Sequence, residues 1–182
     1  MNKKLLLGLG SLVFLIFLYL INLNQQNRYM STSEQLLELD KNKVSKILIQ
    51  SQTEAIELLK ADTTWTISGH DSLKLKIDLL ESLFDKVLNL ESETVMTKNK
   101  EKWFKYNVDD SLGTHLALVD LNQNTIAYYV FGRSTSDYAR CYVRKNQDQE
   151  VHLVNENLMY FLQTSPQYWG ELEKVSLPEE NL

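Results

Sequence analysis

Residues 131–144 read Phe-Gly-Arg-Ser-Thr-Ser-Asp-Tyr-Ala-Arg-Cys-Tyr-Val-Arg (FGRSTSDYARCYVR). Three arginines, two tyrosines and the only cysteine of the chain crowd a Gly-Arg-Ser-x-Ser run, which gives the stretch the look of an active site. A nucleophile elbow needs Gly-x-Ser-x-Gly, because glycines admit the strained turn that precedes a helix. Gly132-Arg133-Ser134-Thr135-Ser136 lacks the second glycine. A phosphate loop needs glycines and a Lys-Ser/Thr pair opening a helix, and neither follows here. Period-two alternation from Ala139 to Arg144 instead puts Ala139, Cys141 and Val143 on one face of a strand. Arg140, Tyr142 and Arg144 take the other face. The stretch therefore reads as a hairpin: a strand ending at Gly132, a turn over Ser134–Asp137, and a strand returning through Arg144. Cys141 faces inward as a small hydrophobe.

Working outward, the same alternation marks strands at His115–Leu121, Thr125–Gly132 and Val151–Val154. Asn122-Gln123-Asn124 and Asn146-Gln147-Asp148 supply the remaining turns, so four strands form an antiparallel meander. A second, smaller meander is predicted from Val44–Ile49, with Ile47 and Ile49 on one face, Ala55–Leu59 and Trp65–Ile67. Ala61-Asp62-Thr63-Thr64 makes one of its turns.

Between the meanders, Leu75, Leu79, Leu83, Lys86 and Leu90 recur one helical turn apart. Ile77, Leu80, Phe84, Val87 and Leu88 widen the apolar stripe, and Asp71 or Ser72 is placed to cap the helix. The stripe suits a helix laid across a sheet, with a partner-binding face as the other reading. Glu93–Met96 is a short strand. Lys98 to Tyr106 reads as a helical turn in which Trp103 and Tyr106 pack while four lysines stay solvated. Ser33 to Leu39 adds a turn of helix, and Glu156–Leu162 forms a short helix with Asn155 as its cap. Pro166 stops that helix, and Trp169 ties the tail to the domain.

Leu5 to Leu23 contains 19 residues and no charge. As a helix it spans about 28 Å, close to the ~30 Å hydrocarbon core of a bilayer. A cleaved signal peptide is the rival reading, but it calls for a shorter apolar run and a small-x-small cleavage site. Asn22-Leu23-Asn24-Gln25-Gln26 follows instead. Lys3 and Lys4 precede the span, so the positive-inside rule puts the N-terminus in the cytoplasm and the rest outside it. The expected organisation is a cytoplasmic stub at 1–4, a transmembrane anchor at 5–23 and a linker or short helix at 24–43. An extracytoplasmic α+β domain follows at 44–172, built of antiparallel meanders with one main helix and short helices, then a tail at 173–182.

Setting Lys3 and Lys4 aside leaves 17 basic against 24 acidic residues, a net charge near −7. Such a domain is not expected to be drawn electrostatically to nucleic acid or anionic lipid. The lysine- and aromatic-rich run at 98–106 therefore reads as a solvated face and not as a nucleic-acid surface. His70, His115 and His152 are never at metal-ligand spacing, and no His-x-x-x-His, Cys-x-x-Cys or Asp-x-Asp cluster occurs, so no metal or cofactor is expected. Asp109-Asp110 reads as a turn before Gly113. One cysteine forms no internal disulfide, which leaves stability to the core.

Several stretches resemble the bacterial domain of unknown function 4340. They are Val44-Ser45-Lys46-Ile47 with Trp65, Lys98-Asn99-Lys100-Glu101-Lys102-Trp103, Tyr106-Asn107-Val108 and Gly113-Thr114. Phe131-Gly132, Tyr142-Val143-Arg144, Val151-His152-Leu153 and Trp169 continue the likeness over residues 40–172. The chain departs from the pattern at Cys141, where a small or polar residue is usual, and at His152, where tyrosine is common. The resemblance implies a membrane protein associated with an envelope ABC-transport system of the gliding-motility type, and it supplies no catalytic residues.

Two functions follow as expectations. The first is a non-catalytic binding or adaptor module that meets a protein partner through Arg133, Arg140, Tyr142 and Arg144. Cross-strand pairing of Arg140 and Arg144 with carboxylates is the plainer reading of those arginines. The second is an envelope hydrolase whose pocket gathers His115, His152 and carboxylates from distant segments.

Overall fold

Alternating apolar side chains over Lys46–Ser51 bury Ile47 and Ile49 completely, and the same rule governs each strand that follows. The structure is a computed structural model that describes residues 12–20 and 34–172. Residues 12–20 form a helix (α1) whose apolar side chains are exposed. Among the described residues no helix is long and apolar enough to cross a membrane. The rest of the expected anchor, 5–11 and 21–23, lies outside the described residues, as do the stub at 1–4, linker residues 24–33 and the tail at 173–182.

The described strands are β1 (Glu34–Gln35), β2 (Lys46–Ser51), β3 (Glu54–Ala61), β4 (Thr64–Ile67), β5 (Leu73–Leu75) and β6 (Glu91–Thr97). After them come β7 (Thr114–Val119), β8 (Thr125–Arg133), β9 (Cys141–Lys145), β10 (Val151–Val154) and β11 (Gly170–Leu172). Nine of them make one antiparallel sheet in the order β1-β6-β10-β9-β8-β7-β2-β3-β4, and β11 pairs with β5. The two expected meanders are thus one sheet, because β2 pairs with β7 from Lys46↔Val119 to Ser51↔Thr114. Four of the hairpin turns each place one residue in the left-handed region: Gln52, Asp62, Gln123 and Asn146.

Helix α2 (Ile77–Leu88) lies on one face of the sheet and buries Leu80, Leu83, Phe84 and Val87. These side chains meet Ile47, Ile49, Leu58, Leu116, Tyr129, Phe131, Cys141 and Val143 in the main core. The Tyr129 hydroxyl donates to Leu36 O at 2.8 Å, and burial pushes its ionisation up to about 12. A smaller core on the opposite face gathers Trp103, Val108, Val130 and Val151.

Four local expectations are corrected. The helix begins at Ile77 with Lys76 as an uncapped N-cap, because Leu73–Leu75 is drawn into pairing with β11; Asp71 and Ser72 do not cap it. Glu34-Gln35 is a strand on β6 and not a helical turn, so the sheet takes in residues read as linker. The turn near 158 is a 3-10 helix (Leu158–Tyr160) capped by Asn157, whose side chain accepts from Met159 N. Asn155 accepts from Glu91 N instead. Pro166 opens a helical turn, α3 (Pro166–Trp169), where its missing N–H costs nothing.

Candidate functional site

The alternation read from Ala139–Arg144 is present, but the face assigned to Arg140, Tyr142 and Arg144 is not an open polar stripe. Arg144 is 0% exposed. Its guanidinium lies over the Trp103 ring, Cζ 3.9 Å from the centroid, and Nε donates to Val108 O at 3.0 Å. Nη2 donates to Asp110 Oδ1 at 2.7 Å, and Nη1 donates to Asn146 O. Tyr142 is half-buried with its ring edge-on to Tyr106, centroids 5.0 Å apart. Arg140 bridges Asp137 at 2.5 Å and Glu93 at 2.6 Å. The Arg140 hydrogen bond holds the Asp137 carboxyl below its ordinary range. Arg133 alone of the four is exposed, at the end of β8.

The cover over this face is a strap, residues 98–113. Asn99 caps its 3-10 helix (Lys100–Tyr106) by accepting from Glu101 N. Trp103 Nε1 donates to Gln149 O at 3.2 Å and the Tyr106 hydroxyl to Met96 O at 3.3 Å. The helix ends on Asn107 in the left-handed region, where asparagine is tolerated, and Asn107 Nδ2 donates to Arg133 O. Asp109 Oδ1 accepts from Ser111 N and Leu112 N, closing the turn before Gly113. The strap lies so close to β8 that a Cβ on Gly132 would meet Tyr106 O at 1.9 Å. Nearly every piece of the sequence resemblance from Lys98 to Leu153 meets here. These residues fasten the strap to the sheet.

The residues invoked for a hydrolase stay apart. His115 on β7 and His152 on β10 are separated by β8 and β9, three strand spacings or roughly 14 Å, and face opposite sides of the sheet. His115 Nδ1 lies 2.5 Å from the Tyr128 hydroxyl. His152 Nδ1 lies 2.8 Å from Ser92 Oγ, and Glu150 sits 3.8 Å from Nε2. Sequence spacing could not foresee this Ser-His-Glu grouping, which spans β6 and β10. Ser92 is 2% exposed, so its oxygen is shut away from any substrate. Burial lowers the His152 pKa against the opposing pull of Glu150, Glu34 and Asp148. Among the described residues no cluster of three metal-ligating side chains forms.

A shallow groove of about 780 Å³ lies elsewhere, beside the start of α2. Lys74, Ile77, Ser82, Tyr160, Tyr168 and Glu171 are among its lining residues. Lys76 Nζ ties the two walls by donating to Gln167 O at 3.1 Å and Tyr168 O at 3.0 Å. Tyr168 stacks edge-on to Tyr160 and Trp169, with centroids 5.9 and 5.3 Å away. Its hydroxyl is buried without a partner among the described residues, and burial pushes its ionisation up to about 12. The groove thus offers an aromatic surface flanked by Lys74, which has no ion pair among the described residues, and by the carboxylates of Asp78 and Glu171. Its walls come from distant parts of the chain, residues 74–82 and 160–171. The one sequence signal was Ile77, an apolar position of the helix that remains exposed.

No curated protein and no solved structure matches the chain. The model of the domain of unknown function DUF4340 matches residues 65–182, from β4 through the strap, the late meander and the groove-lining C-terminal segments. With that match across most of its length, the chain belongs to the DUF4340 family.

Proposed function

We propose that this protein is a non-catalytic binding module, held at the outer side of a cell membrane by residues 5–23 and engaging a protein partner through the groove beside α2. The groove carries the reading. It is open and shallow, whereas small-molecule sites enclose most of their ligand. Its rim displays Tyr160, 68% exposed, and Ile77, the rigid aromatic and aliphatic surface that protein interfaces favour. Trp103, Tyr106 and Arg144 already hold the strap to the sheet, so the arginine face offers a partner less than the groove does.

The apolar run at 5–23, its exposed helical portion at 12–20 and the flanking Lys3 and Lys4 support the anchor and its orientation. The earlier resemblance supports an envelope ABC-transport system of the gliding-motility type as the partner assembly. The test is photo-crosslinking in cells with a photoreactive residue at Tyr160, compared with one at Tyr138 on the β8–β9 turn. Adducts to transporter subunits from position 160 and none from 138 are expected. Adducts from neither position, or equally from both, would refute the groove as the contact.

A further inference from the structure

The strap has an outer side that the fold leaves unused. Trp103 points into the small core, while Lys100, Lys102, Phe104 and Lys105 are exposed, Phe104 by 58%. Lys98 is bound to Glu150 at 2.6 Å and Lys100 rests 4.9 Å over the Trp103 ring. Lys102 and Lys105 pair with no carboxylate among the described residues. Glu101 is the one acidic residue of the Lys100–Tyr106 segment. On the other face of the sheet α2 exposes Asp78, Glu81 and Asp85, of which Glu81 pairs with Lys41 at 2.6 Å. A domain of net negative charge therefore carries one cationic, aromatic-tipped ridge, and at a Debye length of about 8 Å the ridge acts locally.

The direction of β1 is the link between this ridge and the N-terminal segment. β1 runs antiparallel to β6 with Glu34 opposite Ser92 and Gln35 opposite Glu91. β1 thus points its N-terminal end along β6 in the direction of the strap, with Glu34 level with the start of β6. Residues 21–33 alone separate α1 from β1, a reach of at most about 45 Å when fully extended.

We propose that Lys100, Lys102, Phe104 and Lys105 dock the domain on anionic lipid headgroups of the bilayer that holds its anchor. The proposal rests on the anchor reading given above. Lysines meet the headgroup phosphates, and the Phe104 ring enters the interfacial layer beside them. The groove beside α2, on the other face of the sheet, is then turned away from the bilayer toward a partner.

The experiment uses the full chain in lipid nanodiscs, with Phe104→Cys carrying an environment-sensitive fluorophore and the lipids doped with headgroup nitroxide. Cys141 is fully buried and stays unlabelled. In phosphatidylglycerol-containing discs the expected result is a blue-shifted, strongly quenched emission, lost in pure phosphatidylcholine and in Lys102→Glu/Lys105→Glu. A Tyr138→Cys label should remain unquenched in both lipids. Vesicle flotation after an alkaline wash reads the anchor separately. A chain that floats but whose position-104 label is equally unquenched in both lipids refutes the docking, as would docking indifferent to the charge reversals. A chain that fails to float sinks the anchor reading and this proposal with it.

Discussion

The guanidinium carbon of Arg144 stands 3.9 Å above the centre of the Trp103 ring, joining β9 to a strap that precedes it by some forty residues. Stacking and a planar fork of donors are both in use, so lysine is a poor replacement. Arg144→Ala and Arg144→Lys should each cost about 2–4 kcal/mol, from the lost cation–π contact and the carbonyls of Val108 and Asn146 left unpaired. Asp110→Asn keeps an acceptor on a side chain that is 67% exposed and should cost less than about 1.5 kcal/mol. Urea unfolding measures all three. A lysine variant as stable as the parent would show that the guanidinium plane is not what holds the strap.

Gly132 sits where the strap backbone presses on β8. Gly132→Ala should destabilise by roughly 3 kcal/mol, because the added Cβ meets the carbonyls of Tyr106 and Asn107 and not a movable side chain. Gly69 offers the comparison: it has open space but a φ of +74°, so Gly69→Ala should cost about 1 kcal/mol. Thermal midpoints that rank the two in reverse would contradict the close approach.

Cys141 is fully buried, its thiol donates to Glu156 O at 3.3 Å, and burial pushes its ionisation up to about 12. At pH 8 the folded protein should resist a maleimide or alkylating reagent, and modification should appear only as denaturant unfolds it. Fast stoichiometric labelling of the native chain would refute this placement.

His152 binds its proton less tightly folded than unfolded, since burial outweighs Glu150, Glu34 and Asp148, with Lys98 acting in the same direction as burial. The unfolded chain therefore takes up the proton first as pH falls below about 6.5. The stability tied to this group is present above that pH and lost as pH drops through the folded-state value. His152→Gln should flatten the decline in melting temperature between about pH 7 and 5. An unchanged pH profile would mean that the carboxylates dominate acid unfolding.

Much of the fold could be read from local pattern. Cys141 and Val143 alternate with Tyr142 and Arg144, and turn residues such as Asp62, Gln123 and Asn146 mark the hairpins where they occur. What periodicity cannot convey is what covers a face. Arg144 reads as an outward cation because Trp103, which buries it, lies far upstream. Leu73–Leu75 reads as helix because its strand partner, Gly170–Leu172, comes nearly a hundred residues later. The groove beside α2 joins residues equally distant, and only the exposed Ile77 hinted at it. Arg140 reads as an ion-pairing residue, but periodicity does not name its carboxylates, Asp137 in the preceding turn and Glu93 on β6.

The ladder between β2 and β7 decides where an expression boundary can fall. The family match begins at Trp65, inside β4, yet β2 and β3 supply the neighbours of β7 and part of the main core. A chain started at Trp65 would bare the edge of β7 and uncover Leu116 and Leu118, inviting strand-to-strand aggregation. Recombinant versions lacking the apolar segment should keep everything from Glu34 onward, so that Gln35 and Leu36 still clasp the end of α2 and the start of β6.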